Sequence, residues 1–490
     1  MTSNEPVAGR EFAQRHAGRI YVGGEWLLPI DGGRLDIVNP ATGAQVASVA
    51  AAGPADVARA VERAHDSFYK GDWPLLHPSE RADMLRRLGQ AMRHRAADLG
   101  SAVTLEMGAL WRESVAGAQA AADLCDYYAD LAEALAEPDA RAWKGGRAFV
   151  RYLPVGVVAA IVPWNAPLSL SILKLAPALA AGCTLILKSA PSTPLDAILL
   201  AECLEDAGIP PGVVSILPGD NAAGEALITD SRIDKVTFTG STAVGRHIGA
   251  VCGGRIVRQA LELGGKSAAI LLPDMDVETA VEQLVPGSMR LTGQACSALT
   301  RILVPRRKTT DLVDAMSGAL GALRPGDPFD AATSLGPLAL ERQRERVEDY
   351  IREGVREGAM LACGGDRPAG IGSGFFLHPT LFTNVDNGMR IAQEEIFGPV
   401  VCVIPYADEE EAIAIANASS YGLYASIFTH DEDAVWRLAP RLRAGNVSRA
   451  GLYIDRTLPY GGLRQSGIAR EGGVEGFRSF QEAQTIYLPS

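Results

Sequence analysis

The sequence predicts an α/β protein with two parallel-sheet domains and a small β ribbon, and three observations carry that expectation. From about residue 155, short β-branched apolar runs alternate with longer amphipathic stretches, each switch marked by Gly, Pro or Asn. A second alternation of the same kind begins after about residue 266. Two isolated strand-like pieces, RAFVRYLPVG near 147 to 156 and QTIYLPS at the C-terminus, belong to neither series.

Residues 50 to 140, with ADVARAVERAHDSF and ERADMLRRLGQAMRHRAADL, read as helices of 3.6-residue period that pack on the first sheet. VGVVAAIV then reads as a strand, LSLSILKLAPALAAG as a helix, TLILK as a strand and LDAILLAECLEDAG as a helix. VVSILPG and KVTFTG are strands, and STAVGRHIGAVCGG is the next helix. Strand then helix, repeated, predicts a parallel sheet with helices on its faces and ligands beyond the carboxyl ends of its strands. In the second region AAILL, RILVP, VVCVIPY and ASIFT are strands among helical stretches such as 408 to 418 and 431 to 443. The two orphan strands either complete a ribbon on another subunit or pair with the main sheet.

A chain of 490 residues exceeds what one core supports, so two or three domains are expected. With 47% apolar residues, 21% charged residues and a mean hydropathy of +0.07, it reads as a soluble globular protein and not as a disordered one. A net charge of −12, a pI near 5.2 and the lack of any Lys/Arg run argue against nucleic acid and for a small-molecule partner. The opening MTSNEPVAGREFAQRH has no apolar core behind a basic leader, so no secretory signal and a cytoplasmic location are expected. Residues 167 to 187 are the most membrane-like, but Lys174 and Pro177 disfavour a span, and no membrane partner is expected. The seven cysteines are odd in number, dispersed and without a CxxC pair, which suits reduced thiols and neither a disulfide framework nor a metal site.

Five stretches carry candidate chemistry. GQACSALT places Cys296 among small residues, with His247 and His378, the nearest histidines in sequence, far away, so a nucleophilic thiol needs another base. ELGGKSA offers one: Glu262 ends an apolar strand, where burial raises a carboxyl pKa toward that of a general base; the plainer reading is a salt bridge to Lys266 or a distant Arg. PWNAP fixes Asn165 between prolines, as an oxyanion donor or as a simple turn residue. FTGSTAVG ends a strand and opens a helix, which suits a pyrophosphate. Arg246 and His247 stand where a P-loop needs Lys and Ser/Thr, and the G-x-G-x-x-G fingerprint is missing, so a plain glycine-rich turn is the competing reading. EEIFGPV sets Glu395 and Phe397 ahead of a strand, either to hold a ribose and a flat heterocycle or as an N-cap and a core ring.

Taken in order, PWN, a lysine-bearing strand end, FTGS, ELGGK, GQxC, EEIFGPV and P-[FY]-G-G resemble the aldehyde dehydrogenase superfamily, NAD(P)-dependent and of the hydrolytic type, in a bacterial branch. The resemblance runs from about residue 20 to the C-terminus. It implies a Rossmann-like parallel-sheet cofactor domain from 1–130 and 154–262, a second α/β catalytic domain from 263–462, and an oligomerisation ribbon from 131–153 and 478–490 that builds a homodimer or homotetramer. It implies Cys296 as the nucleophile, Asn165 with the Cys296 backbone N–H as oxyanion donors, and Glu262 as the base that activates water on a thioester. An aldehyde substrate thereby becomes a carboxylate.

The same resemblance implies NAD as cofactor, with NADP as the alternative. It assigns Lys188 to the adenosine ribose, Gly240 and Ser241 to the pyrophosphate, Glu395 to the nicotinamide ribose and Phe397 to the border of the nicotinamide. Ile161, Val162, Pro163, Trp164, Ser189, Pro191, Gly219, Gly224, Phe238, Thr239, Leu263 and Gly264 complete the cofactor surface, and Lys174 with Glu471 joins a proton path from Glu262.

Departures from the family pattern are informative. In KSAP, Pro191 replaces a carboxylate that bonds ribose hydroxyls and repels a 2′-phosphate, which leaves NADP open. In RLTGQAC, Leu291 and Thr292 stand where an asparagine is usual. Arg290, Arg449 and Arg456 occupy segments usually neutral, either facing the substrate channel to select a polar or anionic aldehyde or simply solvated. Ala166 replaces a bulky side chain and, with Leu170, Leu173, Ile454 and Tyr460, implies a wide aliphatic channel for a bulky or long-chain aldehyde, which Ser288, Met289 and Tyr453 are placed to refill. The competing readings are a CoA-acylating or semialdehyde dehydrogenase with an anionic substrate, and a catalytically impaired structural or binding homologue.

Overall fold

Apolar runs that do not alternate belong on strands covered on both faces. Val157–Ile161, Thr184–Ser189 and Val214–Pro218 are buried at every position, and each fully buried Leu or Ile on them stabilises by roughly 1.5–3 kcal/mol. In the computed structural model, which describes residue 16 and residues 18–489, these strands lie in an eight-stranded sheet. Its order is Gly467–Ile468, Arg258–Glu262, Lys235–Thr239, Val157–Ile161, Thr184–Ser189, Val214–Pro218, Ile20–Val22, Glu25–Leu27. The five strands from Arg258–Glu262 to Val214–Pro218 are parallel; Gly467–Ile468 and Ile20–Val22 run against them at the two edges, and Glu25–Leu27 pairs antiparallel with Ile20–Val22.

The chain winds outward from Val157–Ile161 in one direction, then returns to place Lys235–Thr239 on its other side. The strand order therefore reverses between these two neighbours, and the crevice beyond their carboxyl ends is where such sheets bind ligands. Helix Pro167–Ala181 packs beneath this point. It starts with proline in its first turn, where no N–H is needed, and stops at Gly182, whose φ of 93° a side chain would resist. The membrane-like stretch is thus a buried helix followed by a buried strand, as its Lys and Pro suggested. No helix among the described residues is long and apolar enough to cross a membrane.

A second, seven-stranded sheet has the order Met360–Cys363, Thr380–Thr383, Val400–Tyr406, Leu299–Pro305, Ser267–Leu271, Tyr424–Phe428, Asn446–Arg449. All its pairs are parallel except the first. The chain passes from the carboxyl end of Arg258–Glu262 to the amino end of Ser267–Leu271 through residues 263–266, so the two sheets meet end to end at that link.

The α/β expectation with two mainly parallel sheets is what the fold contains. The orphan strands pair with each other, and neither joins the main sheet: Gln481–Pro489 lies against Gly146–Pro154, which lies against Asp139–Trp143, in an antiparallel three-stranded sheet. Residues 131–134, expected at the start of the ribbon, instead end the long helix Trp111–Ala134. The N-terminal stretch in which no secretory leader was expected lies outside the described residues except for residue 16.

Candidate active site

Beyond the carboxyl ends of the two central strands, where the sheets meet, lies a cavity of about 250 Å³. Three turns of the first sheet supply one wall: Pro163 to Ala166 after one strand, Thr239 to Ser241 after the next, and Glu262 to Gly264 at the third. The second sheet supplies the facing wall through Cys296, just ahead of Leu299–Pro305, and through Glu395 and Phe397, just ahead of Val400–Tyr406. Residues far apart in sequence thus converge on one space, with Ile454 and Tyr460 closing it.

The Cys296 thiol is half-buried, and its Sγ lies 3.7 Å from the Tyr460 hydroxyl. Burial pushes the thiol up to about 11; the Tyr460 hydrogen bond and Arg456 oppose that rise, while Glu395 and Glu262 add to it. The loop leading to Cys296 is conformationally costly. Leu291 and Thr292 have φ of 50° and 58°, and Gly293, at 72°, packs so tightly on the Gly398 carbonyl that a Cβ has no room there. Gln294 anchors the loop, its Oε1 accepting from Ala339 N at 2.9 Å and its Nε2 donating to Leu291 O at 3.0 Å. Asn165 Nδ2 donates to Gln294 O at 2.9 Å, so one amide proton orients the side chain and the other has no partner among the described residues.

Glu262 is buried, and its Oε1 has no hydrogen-bond partner among the described residues. Burial holds its carboxyl well above the usual range, and Glu471 adds to that, against Lys174, Arg470 and Arg456. The salt bridge to Lys266 does not form: Lys266 Nζ is itself buried without a hydrogen-bond partner among the described residues, and burial pushes it down to about 8. Lys174 instead pairs with Glu471 and donates to Thr239 Oγ1 at 2.8 Å and Thr237 Oγ1 at 3.2 Å. Glu471, Lys174 and the two threonines therefore form a buried polar chain behind Glu262.

The other sequence-selected residues follow the carboxyl edge of the same sheet. Gly240 N donates to Glu262 O at 3.0 Å, and Ser241 caps helix Thr242–Arg255, its Oγ accepting from Val244 N at 3.4 Å. That helix N-terminus offers backbone N–H groups to an anion. Ile161 and Phe238 are buried strand residues, and Val162 N donates to Lys188 O at 3.2 Å. Lys188 is buried at the end of its strand, donates to Ser189 O at 3.2 Å, and is pushed down to about 8 by burial, with Asp220 opposing. Pro191 lies in the following turn, Gly219 follows Val214–Pro218, and Gly224 packs on the Lys188 stem.

At the opposite end, Glu395 Oε1 accepts from Gly265 N at 3.1 Å, and burial pushes the carboxyl up to about 7. Gly264 has no room for a Cβ because the Glu395 carboxylate fills that place. Phe397 adopts a φ of 62° and meets Trp164 edge-on, with ring centroids 5.4 Å apart. A cation at one end, a helix N-terminus between, and a carboxylate with two aromatic rings at the other fit a dinucleotide laid along this edge.

Ala166, Leu170, Arg290, Ile454 and Tyr460 line the cavity; Leu173 packs in the main core, as Leu170 also does, but does not reach the cavity. The cavity shares Asn165, Ala166, Arg290 and Leu291 with a cleft of about 740 Å³. Helix Trp111–Ala134 walls that cleft through small residues such as Ala116, Gly117 and Ala120. Met289 lines the cleft, whereas Tyr453 is exposed, and the Ser288 hydroxyl donates to Leu284 O in its own helix. Arg456 lines the cavity that contains Cys296, and Arg449 is exposed and lines neither space. Sequence reasoning missed Gln343, which donates to Ile396 O and Phe397 O at 3.0 and 2.7 Å, and Arg346, which donates to Glu395 O at 2.8 Å. Both lie in ERQRERVED, whose charge pattern reads as a solvated helix face and gives no hint of them.

The model of the aldehyde dehydrogenase family matches residues 26–486. A geranial dehydrogenase of Castellaniella defragrans is 42% identical over 473 residues, covering 96% of this chain and 98% of that one. The crystal structure of a Mycobacterium tuberculosis aldehyde dehydrogenase complexed with NAD+ superposes with a TM-score of 0.94 at 42% identity, over 96% of this chain and 98% of that one. Aldehyde dehydrogenase C of Pseudomonas syringae, crystallised as a cysteine-to-alanine mutant with NAD+ and octanal, superposes with a TM-score of 0.91 at 38% identity, over 96% and 97% of the two chains. The chain belongs to the aldehyde dehydrogenase family and is an oxidoreductase that uses a nicotinamide cofactor, NAD, on aldehydes.

Proposed function

We propose that the protein oxidises a bulky or long-chain aldehyde to its carboxylic acid through a covalent intermediate on Cys296. The observation that carries this reading is the convergence of Cys296, Asn165 and Glu262 on one cavity that also contains Glu395 and Phe397. Cys296 Sγ, as thiolate, attacks the carbonyl carbon, and the second Asn165 amide proton and the Cys296 backbone N–H stabilise the oxyanion. When bound, the nicotinamide supplies the acceptor for the hydride that leaves this carbon. The product is a thioester on Cys296. Glu262, whose carboxyl burial holds well above its usual range, takes the proton of a water that attacks it, which favours hydrolysis over release to CoA.

Lys188, Ser189, Pro191, Gly219 and Gly224 hold the adenosine end, Gly240 and Ser241 the pyrophosphate, and Glu395 and Phe397 the nicotinamide riboside, with Ile161 to Trp164, Phe238, Thr239, Leu263 and Gly264 between. With Pro191 in place of an acid, NADP competes with NAD. The size of the cleft and the small residues that wall it support a long or bulky substrate, as do the relatives named for geranial and crystallised with octanal. Lys174 and Glu471 return the proton from Glu262 toward solvent. The exposed edge Asp139–Trp143 of the three-stranded sheet supports its use as the oligomer contact of a cytoplasmic homodimer or homotetramer. Steady-state assays with aldehydes of increasing length, with NAD and NADP and with and without CoA, test the reading. Product acid formed without CoA, and kcat/KM rising with chain length, are expected; a strict CoA requirement sinks it.

A further inference from the structure

We propose that Arg290 and Arg456 form an anion-recognising pair, so that the preferred substrate is an aldehyde whose carbon chain also bears a carboxylate. The inference rests on the aldehyde oxidation proposed above and names its substrate class. Both side chains line the cavity that contains Cys296, and Arg290 also lines the wider cleft, so it stands where the two spaces join.

Neither guanidinium makes a hydrogen bond or an ion pair among the described residues. Other cavity or buried arginines are satisfied: Arg470 donates to Gly462 O and Ala469 O, Arg346 to Glu395 O, and Arg301 to Lys266 O and Asn387 Oδ1. The Arg456 guanidinium carbon lies over the Tyr460 ring, 4.9 Å from its centroid, a contact that holds the side chain while its N–H groups stay free.

The charged groups around the pair do not neutralise it. Arg456 and Arg290 repel each other. Glu113, on helix Trp111–Ala134, faces Arg290 without forming an ion pair, and Glu262, whose carboxyl burial holds well above its usual range, forms none with Arg456. Two guanidinium forks without acceptors, in a cavity whose lining includes the apolar Ala166, Leu170, Leu291 and Ile454, suit a ligand with an apolar body and one carboxylate. Arg449, the third arginine of the same sequence neighbourhood, is exposed and lines neither space, which makes it the internal control.

The test compares kcat/KM, with NAD at fixed ionic strength, for an unbranched aldehyde and for the ω-oxo acid of equal chain length. In the unmodified enzyme the ratio of acid to neutral substrate is expected to exceed about ten, as for a desolvated charge-assisted contact, and to fall with added salt. Arg290→Leu and Arg456→Leu should each lower the ratio about tenfold, mainly through KM for the acid. Arg290→Lys and Arg456→Lys should restore part of it, and Arg449→Leu should leave it where it was. A ratio at or below one in the unmodified enzyme, or a ratio unmoved by both Leu substitutions, overturns the pair alone. Failure to oxidise either compound overturns the underlying reading together with it.

Discussion

The Cys296 Sγ and the Tyr460 hydroxyl lie 3.7 Å apart although 164 positions separate them in the chain. The hydroxyl is the largest influence acting against the desolvation that pushes this thiol up to about 11. In the cofactor-free protein the thiolate is therefore a small minority at neutral pH. Alkylation by iodoacetamide should accelerate about tenfold per pH unit between pH 7 and 10, because the thiolate fraction grows in that proportion below the pKa. Tyr460→Phe should slow alkylation at pH 8 by up to about tenfold, the worth of one hydrogen bond to a charged group. A plateau below pH 9, or an unchanged rate in Tyr460→Phe, would show that the hydroxyl does not govern the thiol.

Glu262 enters the proposed reaction only after the thioester has formed. Glu262→Gln should therefore release one equivalent of reduced cofactor per site in a rapid burst, followed by turnover slowed on the order of 10²- to 10⁴-fold, the range for loss of a general base. Cys296→Ala should show neither burst nor turnover. Stopped-flow absorbance of the reduced cofactor separates the two, and a Glu262→Gln protein with no burst would place the carboxyl before the hydride step.

The strands were legible because runs such as VVAAI and TLILK carry no period and so declare burial on both faces. Their order was not legible. The reversal between Val157–Ile161 and Lys235–Thr239 depends on pairing of segments far apart in sequence, and it is this reversal that puts Asn165 beside Gly240. The motifs around Cys296, Glu262 and Glu395 were visible as glycine-rich punctuation at strand ends. The Lys174–Glu471 pair joins residues 297 positions apart, and only the fold shows it to be bonded. Leu173 and Leu170 looked alike in a uniformly apolar helix; both pack in the main core, and only the fold shows that Leu170 alone also reaches the cavity. Arg449 ends the strand Asn446–Arg449 and Arg456 lies in the irregular segment that follows, where no periodicity tells which of the two turns inward.

Thr292 sits in the left-handed region at φ 58° although it is β-branched, directly after Leu291 at φ 50°. Such a residue costs on the order of 1–2 kcal/mol there, and asparagine tolerates the conformation better. Its Oγ1 donates to Gly336 O at 3.0 Å, a bond an asparagine amide can also offer. Thr292→Asn is expected to raise stability by about 1 kcal/mol, read from the urea midpoint. An equal or lower midpoint would mean that the hydroxyl contact outweighs the strain.

A second buried acid pair lies away from the cavity. Glu106 Oε2 accepts from Leu195 N at 2.8 Å and its Oε1 from Asp196 N at 3.2 Å, while the buried Asp196 carboxyl oxygens have no donor among the described residues. No basic side chain among those residues bonds either group, so the two carboxyls share their site best with a proton between them. Burial holds Glu106 well above the usual carboxyl range, with Asp196 adding to it, and burial raises Asp196 to about 7. Because the folded pKa is raised, the fold binds a proton that the unfolded chain releases above about pH 4. The stabilisation is thus complete below that value and is lost as pH climbs through about 7. Asp196→Asn removes the titration and supplies an amide donor to Glu106. Its urea midpoint should exceed that of the unmodified protein at pH 8 by the equivalent of roughly 1–3 kcal/mol, with the gap closing toward pH 5. Parallel stability curves for the two proteins from pH 5 to 8 would show that no shared proton sits between these carboxyls.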